Sequence, residues 1–464
     1  MRVMSADGLR AATAKMEAAG VHPTAVAVFI YYYKQLETGA TGLVHESDIR
    51  PLDQPTALGD VPVSEDDERA ALDATVVIKL NGGLGTSMGM DRAKSLLPVR
   101  EGLSFLDVIV RQVRAGRAAW DVRLPLMFMN SFRTRDDTLS ALSRYDDLRV
   151  ADLPLDVLQN REPKLLPVDL TPVEWPADPE LEWCPPGHGD LYTALRASGV
   201  LDRLLRTGLR YAFVSNADNL GATVDGRVAG WFAASGAPFA SEVCRRTQAD
   251  RKGGHLAVRT CDGRLVLRDS AQTAPEDEEA FADLTRHRYF NTNNLWLNLR
   301  ALEAALRAHD GVLGLPLIRN VKNVDPADKR SPKVVQIETA MGAAVEVFEG
   351  SRALEVERGR FLPVKTTNDL LALRSDAYEL ADDGGLRLAS GRSESPYVDL
   401  DPAHYRVLAE FDARFPKGPP SLRDADSLRV EGEWTFGAEV VVRGAATVSA
   451  EGSPGTIPDA TLLT

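Results

Sequence analysis

A chain of 464 residues, 44% hydrophobic and 26% charged, is long enough for about three domains and has the composition of a soluble globular protein. Its formal net charge of −13 excludes a general binder of nucleic acid or of anionic membranes, so any phosphate site must collect lysines locally or recruit a metal. The three cysteines, Cys184, Cys244 and Cys261, form no CxxC pair and read as free thiols of a reducing cytosol. The acidic runs at 64–73 and 274–283 read as solvated faces, and the longest apolar stretch near the N-terminus, "AVAVFIYYY", is far short of a membrane span. A soluble, cytoplasmic protein is expected.

In chain order, residues 1–60 read as an N-terminal helical segment packing on the core, from the patterns "GLRAATAKMEAAG" and "TAVAVFIYYYKQLETG". A proline-bearing loop leads to the apolar run "TVVIK", a buried strand. From 61 to 380, short apolar runs such as "LPLMFMNS" and "RYAFVSNAD" alternate with helical patterns such as "FLDVIVRQVRAG" and "GRVAGWFAASG". That alternation predicts a mixed α/β sheet with helices on its faces and ligands beyond the carboxyl ends of its strands. Residues 381–464 change texture: a proline-rich connector, "PKGPPSLRDADS", precedes short β-rich runs broken by glycine. They predict coils of a small parallel β-helix, or a small sandwich.

The segment "KLNGGLGTSMG" (79–89) follows the buried strand and holds Gly82, Gly83, Gly85 and Gly89. So much glycine suggests that something approaches the main chain closely. The P-loop pattern fails because Ala93, not glycine, precedes Lys94-Ser95. The dinucleotide fingerprint fails because Met88 stands three residues after Gly85, and the acidic residue some twenty positions on, Asp107, falls inside a helical pattern. By themselves the glycines fit a dinucleotide loop, a triphosphate cradle or a plain turn. Lys94 favours the triphosphate, since free amide N–H groups donate to phosphate oxygens and an ammonium neutralises their charge. Asp218, after the strand "YAFV", is a suitable Mg²⁺ ligand, because that ion takes few carboxylates together with phosphate and water oxygens. Lys365 sits just before a helix start with capping-box spacing, Thr366 to Asp369. No Ser-His-Asp or Cys-His arrangement is present.

"LNGGLGTSMGMDRAKSLLPVR" resembles the nucleotide-binding loop of eukaryotic-type UTP–glucose-1-phosphate uridylyltransferases. The segments "NSFRTRDDT", "EWCPPGHGDLYTAL", "FVSNADNLGATVD", "RKGGHLAVR", "RYFNTNNLWLNL", "VVQIETAMGAA" and "FLPVKTTNDLL" resemble further blocks of that family, in order, over roughly residues 20–464. The resemblance implies a nucleotidyltransferase core, GT-A or Rossmann-like, over 61–380, with a connector and left-handed parallel β-helix over 381–464. It implies Mg²⁺-dependent attack of a sugar 1-phosphate oxygen on the α-phosphorus of UTP, giving UDP-glucose and pyrophosphate. Positioning and charge neutralisation suffice for such a transfer, because the sugar phosphate is already ionised.

Carried over residue by residue, the resemblance makes Lys94, Lys365 and Asp218 catalytic, with Asp218 the metal ligand. UTP would meet Leu80, Asn81, Gly82, Gly83, Gly85, Thr86, Lys94, Gln159, Gly187 and Lys365, with Gln159 and Gly187 at the uracil. A neutral amide donates and accepts at once, which suits a uracil imide. His188, Asn216, Lys252, Asn291, Asn293 and Glu338 would hold the sugar phosphate. Asn81 and Ser87 favour the glucose-type enzyme over the N-acetylhexosamine relatives. Two departures, Arg92-Ala93 before the lysine and Ala217 in "NADN", bear on nucleotide preference and on the fit of the sugar. A broad-specificity UDP-sugar pyrophosphorylase and a non-catalytic UDP-sugar binder are the alternatives. The expected partners are UTP and a sugar 1-phosphate, with neither nucleic acid nor membrane, and assembly into a homo-oligomer would use the C-terminal domain.

Overall fold

The computed structural model describes residues 2–247, 250–251 and 253–464. The apolar run after residue 74 becomes the strand Thr75–Asn81, which lies inside an eleven-stranded mixed sheet. Along the main path the order is Thr56–Ala57, Arg352–Glu355, Phe239–Arg245, Tyr289–Asn298, Tyr211–Asn216, Thr75–Asn81, Leu126–Asn130, Asp156–Leu158. Thr75–Asn81 is parallel to both neighbours, whereas Tyr289–Asn298 runs antiparallel between Tyr211–Asn216 and Phe239–Arg245.

The inner strands are apolar at nearly every position because both faces of the sheet are covered. Successive side chains still part to opposite faces. Val77, Phe128 and Phe213 join one apolar cluster, with the helices Phe105–Trp120 and Gly226–Ser235. Val76, Ile78, Met127 and Val214 join the other, with the helices Asp190–Ala197, Val200–Arg206 and Leu299–Ala308. Asp107 closes a capping box with Ser104 at the start of Phe105–Trp120 and also binds Arg144 and Tyr145. Thus committed, it is no ribose-binding carboxylate, which removes the dinucleotide reading of the glycine loop.

The helices Arg2–Ala18 and Pro23–Glu37 share a cluster with Leu165, Trp183, Leu317, Val335 and Ile337. Beyond them, Ile49–Pro51 pairs with His255–Arg259, and Thr56–Ala57 with Arg352–Glu355, so this segment extends the sheet as well as packing beside it. No helix among the described residues is long and apolar enough to cross a membrane.

After residue 396 the pairing is wholly parallel. Tyr397–Leu400, Ser421–Val430, Val441–Val448 and Leu462–Leu463 form one four-stranded sheet, and Trp434–Phe436 with Gly455–Ile457 a second, two-stranded one. The expected parallel β region is present, but these sheets do not show a solenoid. Its apolar residues Leu422, Leu428, Phe436, Val442 and Ile457 belong to the same cluster as Val77 and Phe213. The region therefore shares a core with the main sheet.

One buried ion pair places the segment that leads to Lys365. Arg360 donates two hydrogen bonds to the fully buried Glu242, at 2.6 and 2.7 Å, and Trp296 Nε1 and Asn294 Nδ2 donate to the same carboxylate at 3.0 and 3.1 Å. Arg360→Met would leave Glu242 buried and unpaired. It is expected to lower the unfolding free energy by about 3–5 kcal/mol, measured by chemical denaturation followed through tryptophan fluorescence.

Candidate active site

The glycine loop leaves the carboxyl end of Thr75–Asn81 and folds back on itself. Lys94 N donates to Gly83 O at 3.1 Å, and a short turn, Thr86–Met88, is bounded by Gly85 and Gly89, both left-handed at φ 65° and 73°. The fold-back delivers Lys94 to the end of the neighbouring parallel strand, Tyr211–Asn216, where Nζ lies 2.7 Å from Asp218 Oδ2. The same ammonium donates to Val364 O. Val364 N in turn donates to Asp218 O at 3.1 Å, and Leu362 N to Asn219 Oδ1 at 2.7 Å. Lys365 follows at once, with its side chain exposed. Its main-chain N–H is held by Asp369, which caps the helix Thr367–Arg374. Lys94 and Asp218 therefore meet, and Lys365 comes next in the chain after Val364, which contacts both, although the three come from distant parts of the chain.

Beneath them lies a lysine that sequence reasoning passed over. Lys79 is 2% exposed, and its Nζ donates to Ser215 Oγ at 2.8 Å and Ala222 O at 2.6 Å, pinning the turn that bears Asp218. Burial, reinforced by Arg360 and opposed by Glu242, pushes its pKa down to about 7.

The residues expected at the sugar phosphate form a connected wall. Asn293 Nδ2 donates to Asn216 Oδ1 at 3.1 Å, and Asn293 N to Asn291 Oδ1 at 3.2 Å. Asn293 is left-handed at φ 62°, inside a strand. Pairing with Phe239–Arg245 jumps there, since Ser241 faces Leu295 while Val243 faces Asn291. Such a bulge re-aims side chains, and asparagine tolerates the conformation better than most residues. Gly342 packs against the Asn291 amide, and the adjacent Met341 N donates to His188 Nδ1 at 3.0 Å. Because Nδ1 accepts that bond, the neutral ring carries its proton on Nε2. His188 has accessible surface, yet the protein packed around it desolvates the ring and, against Glu338, holds its pKa below the ordinary imidazole value. Glu338 ends the strand Lys333–Glu338 and binds Asn320 Nδ2 at 3.1 Å and Lys322 Nζ at 3.0 Å. Lys322 is a cation beside this wall that no sequence signal marked. Lys252 lies outside the described residues.

On the nucleobase side, Gln159 spans two glycines. Its Nε2 donates to Gly187 O at 2.7 Å, and its Oε1 lies 3.0 Å from where a Cβ on Gly82 would be. Ser131 Oγ holds Gly82 O at 2.9 Å. Asn81 is buried, and its side-chain amide donates to Asn130 Oδ1 and Thr138 Oγ1, at 2.9 and 2.8 Å. Its amide thus anchors the base of the loop. Leu80 is half-buried with its carbonyl taken by Ala217 N, and Gly83 and Thr86 are exposed. Ala217, expected to alter the fit of the sugar, is 4% exposed and packs in the apolar core. Arg92 is exposed and Ala93 buried.

A family model described as UTP–glucose-1-phosphate uridylyltransferase matches residues 27–443. The chain is 40% identical over 408 residues to the UTP–glucose-1-phosphate uridylyltransferase of Solanum tuberosum, covering 87% of this chain and 83% of that one. The Saccharomyces cerevisiae protein of the same name is 39% identical over 395 residues, covering 84% and 77%. Among solved structures, a mutant UDP-glucose pyrophosphorylase from Leishmania major in complex with UDP-glucose superposes with a TM-score of 0.92 at 43% identity, covering 98% of both chains. The Trypanosoma brucei UDP-glucose phosphorylase gives 0.91 at 43%, again over 98% of both.

Gly187 is the position where the site is least tolerant of a side chain. Its φ is 78°, and a Cβ would lie 2.5 Å from Thr339 O and 2.8 Å from Thr339 N, both main-chain atoms. Gly187→Ala is expected to cost roughly 1–3 kcal/mol of stability, seen as a lower unfolding midpoint in calorimetry.

Proposed function

The chain belongs to the UTP–glucose-1-phosphate uridylyltransferase family, and on that premise we propose that it transfers the uridylyl group of UTP to glucose 1-phosphate, releasing pyrophosphate. The observation that carries this reading is the meeting of Lys94, Asp218 and the Val364–Lys365 turn at the ends of two parallel strands. An oxygen of the sugar phosphate attacks the α-phosphorus of UTP while the bond to the bridging oxygen of pyrophosphate breaks. The nucleophile is already an anion, so no general base is required, and the barrier falls through alignment and charge neutralisation. Lys94 and Lys365 supply positive charge at the phosphates. The asparagine wall and His188 Nε2–H donate to the sugar phosphate, and Gln159 with Gly187 faces the uracil.

The donor set also fits a divalent cation that takes one protein carboxylate and completes its shell with phosphate and water oxygens. Among the described residues no three His, Cys, Asp or Glu side chains gather as a protein-built cage. We assign Mg²⁺ to Asp218, where it would neutralise charge on the phosphates. The Asp218 carboxylate pairs with Lys94, an ion pair whose two members suit opposite partners, the metal and the triphosphate.

Two finer readings accompany this proposal. We propose, from the family resemblance together with the parallel pairing of these strands, that the C-terminal region is a short left-handed β-helix, and from the resemblance that copies would assemble through it. Light scattering that shows only monomers at high concentration would remove the assembly role. We also place the protein in the cytoplasm, on the strength of three free cysteines, of which Cys184 and Cys244 are buried. Quantitative thiol labelling of protein taken directly from cells is expected to find all three reduced.

Purified protein given UTP, glucose 1-phosphate and Mg²⁺ is expected to form UDP-glucose and pyrophosphate. Omission of the metal with chelator present should abolish turnover, and a protein inactive under all these conditions overturns the assignment. Lys365→Ala is expected to lower kcat by roughly 10²–10³, the scale for losing one charge partner of the transition state, with the unfolding midpoint unchanged.

A further inference from the structure

Asp190 opens the helix Asp190–Ala197 and is 4% exposed. Its two oxygens are both taken by a single residue. Asn160 N donates to Oδ2 at 2.6 Å, and Asn160 Nδ2 donates to Oδ1 at 2.8 Å. Among the described residues no cation pairs with this carboxylate, and both of its hydrogen bonds go to Asn160. Asn160 is the neighbour of Gln159, and Gly187 stands three residues before Asp190. With the Gln159 Nε2 bond to Gly187 O at 2.7 Å, the contacts close a ring that runs Gln159, Asn160, Asp190, Gly187. Three further bonds steady it from outside. Gln159 N donates to Asn130 O at 2.8 Å, Gly189 N to Thr339 O at 2.8 Å, and Thr339 N to Pro186 O at 2.9 Å.

The ring decides which way the Gln159 amide faces. A free glutamine can turn its amide and so serve either a donor or an acceptor on a base edge. Here Gly187 O can only accept, so the NH₂ must face it, and Oε1 is left as an acceptor toward a ligand. Uracil presents an N3–H donor at the matching position, and cytosine presents a bare N3 acceptor. An oriented Oε1 therefore favours uracil and leaves cytosine with two acceptors face to face, a mismatch that costs more than a lost contact.

We propose that Asp190 is a positioning residue for the nucleobase: by gripping Asn160 at two atoms it holds the Gln159–Gly187 pair in the one orientation that accepts uracil and rejects cytosine. The inference rests on the reading of Gln159 and Gly187 as the uracil-facing pair, and it adds the residue that sets their geometry. Asp190 touches neither substrate.

The experiment measures steady-state kinetics with UTP and with CTP for the wild-type chain and for Asp190→Ala, Asp190→Asn and Asn160→Ala. Asp190→Ala is expected to raise KM for UTP roughly tenfold or more and to shrink the UTP:CTP ratio of kcat/KM by a similar factor. The KM for glucose 1-phosphate should stay within about twofold, because that wall is built from other residues. Asp190→Asn, which keeps an acceptor for Asn160 N, should recover part of the loss. Asn160→Ala, which removes only the side-chain bond, should move both quantities in the same direction by less. An unchanged UTP KM and base ratio in Asp190→Ala overturns the proposal, as does an equal loss toward UTP, CTP and glucose 1-phosphate. If circular dichroism shows that Asp190→Ala does not fold, Asn160→Ala decides by the same criteria. Failure of the wild-type chain to make UDP-glucose is a separate result and strikes the assigned reaction itself.

Discussion

The pairing of Arg360 with Glu242 is the constraint on which the site depends. Glu242 sits in the interior strand Phe239–Arg245, and Arg360 in the segment that returns toward the glycine loop. Two buried charges in such a place repay their desolvation only when geometry is good and every remaining lone pair is used. Trp296, Asn294 and Thr223 complete that shell, through Glu242 on one side and the guanidinium on the other. The Arg360 carbonyl accepts from Asn219 and Asn294, so the main chain is fixed along with the side chain. Apolar substitutes would pack as tightly but would not dictate where residues 361–365 run. That path places Val364 against Asp218 and presents Lys365 beside it.

From this anchor the active site follows as a problem of bringing charges together without neutralising them for good. Lys94 and Asp218 hold one another at 2.7 Å. Each is a natural partner for half of a metal–triphosphate, the lysine for phosphate oxygens and the aspartate for the cation. The pair keeps both side chains ordered and pointed at the same spot, so little reorganisation remains when the ligands arrive. Lys79 below contributes in a different way, since its bonds to Ser215 and Ala222 fix the turn bearing Asp218 while its own charge stays out of reach. Burial that lowers its pKa toward neutrality also limits how strongly it would compete for the phosphates.

The two halves of the site differ in how their specificity is built. The wall proposed for the sugar phosphate is built from asparagines along a strand whose register shifts near the left-handed Asn293. The side proposed for the nucleobase is built from loops tied to one another by amide and carboxylate bonds, with Gly187 tucked against Thr339 too closely for any side chain. Both walls join through the segment Glu338–Met341, which touches Gly187 and Gly189 on one side and His188 on the other. A disturbance of that short turn would be felt by base and sugar together.

Much of this was legible in the sequence because its signals are local. The buried strand before the glycine loop and the helical pattern "FLDVIVRQVRAG" follow from periodicity over a few residues, while the glycine-broken C-terminal runs left a parallel β-helix and a small sandwich both open. Lys94, Asp218 and Lys365 were also marked by their positions at strand and helix ends and by the family blocks around them. What the chain order could not express is which distant groups share an interior. The Glu242–Arg360 pair, the grip of Asp190 on Asn160 and the pinning by Lys79 join residues 30 to 143 positions apart. Asn81 was expected at UTP and Ala217 to bear on the fit of the sugar, and the fold gives the Asn81 amide to a buried hydrogen-bond network and Ala217 to the core. Chain order alone carries the elements, the family and the residue types the chemistry needs. Which charges are buried and paired and which stay open to solvent is set by the packed fold, because desolvation depends on everything that surrounds a group and not on its neighbours along the chain.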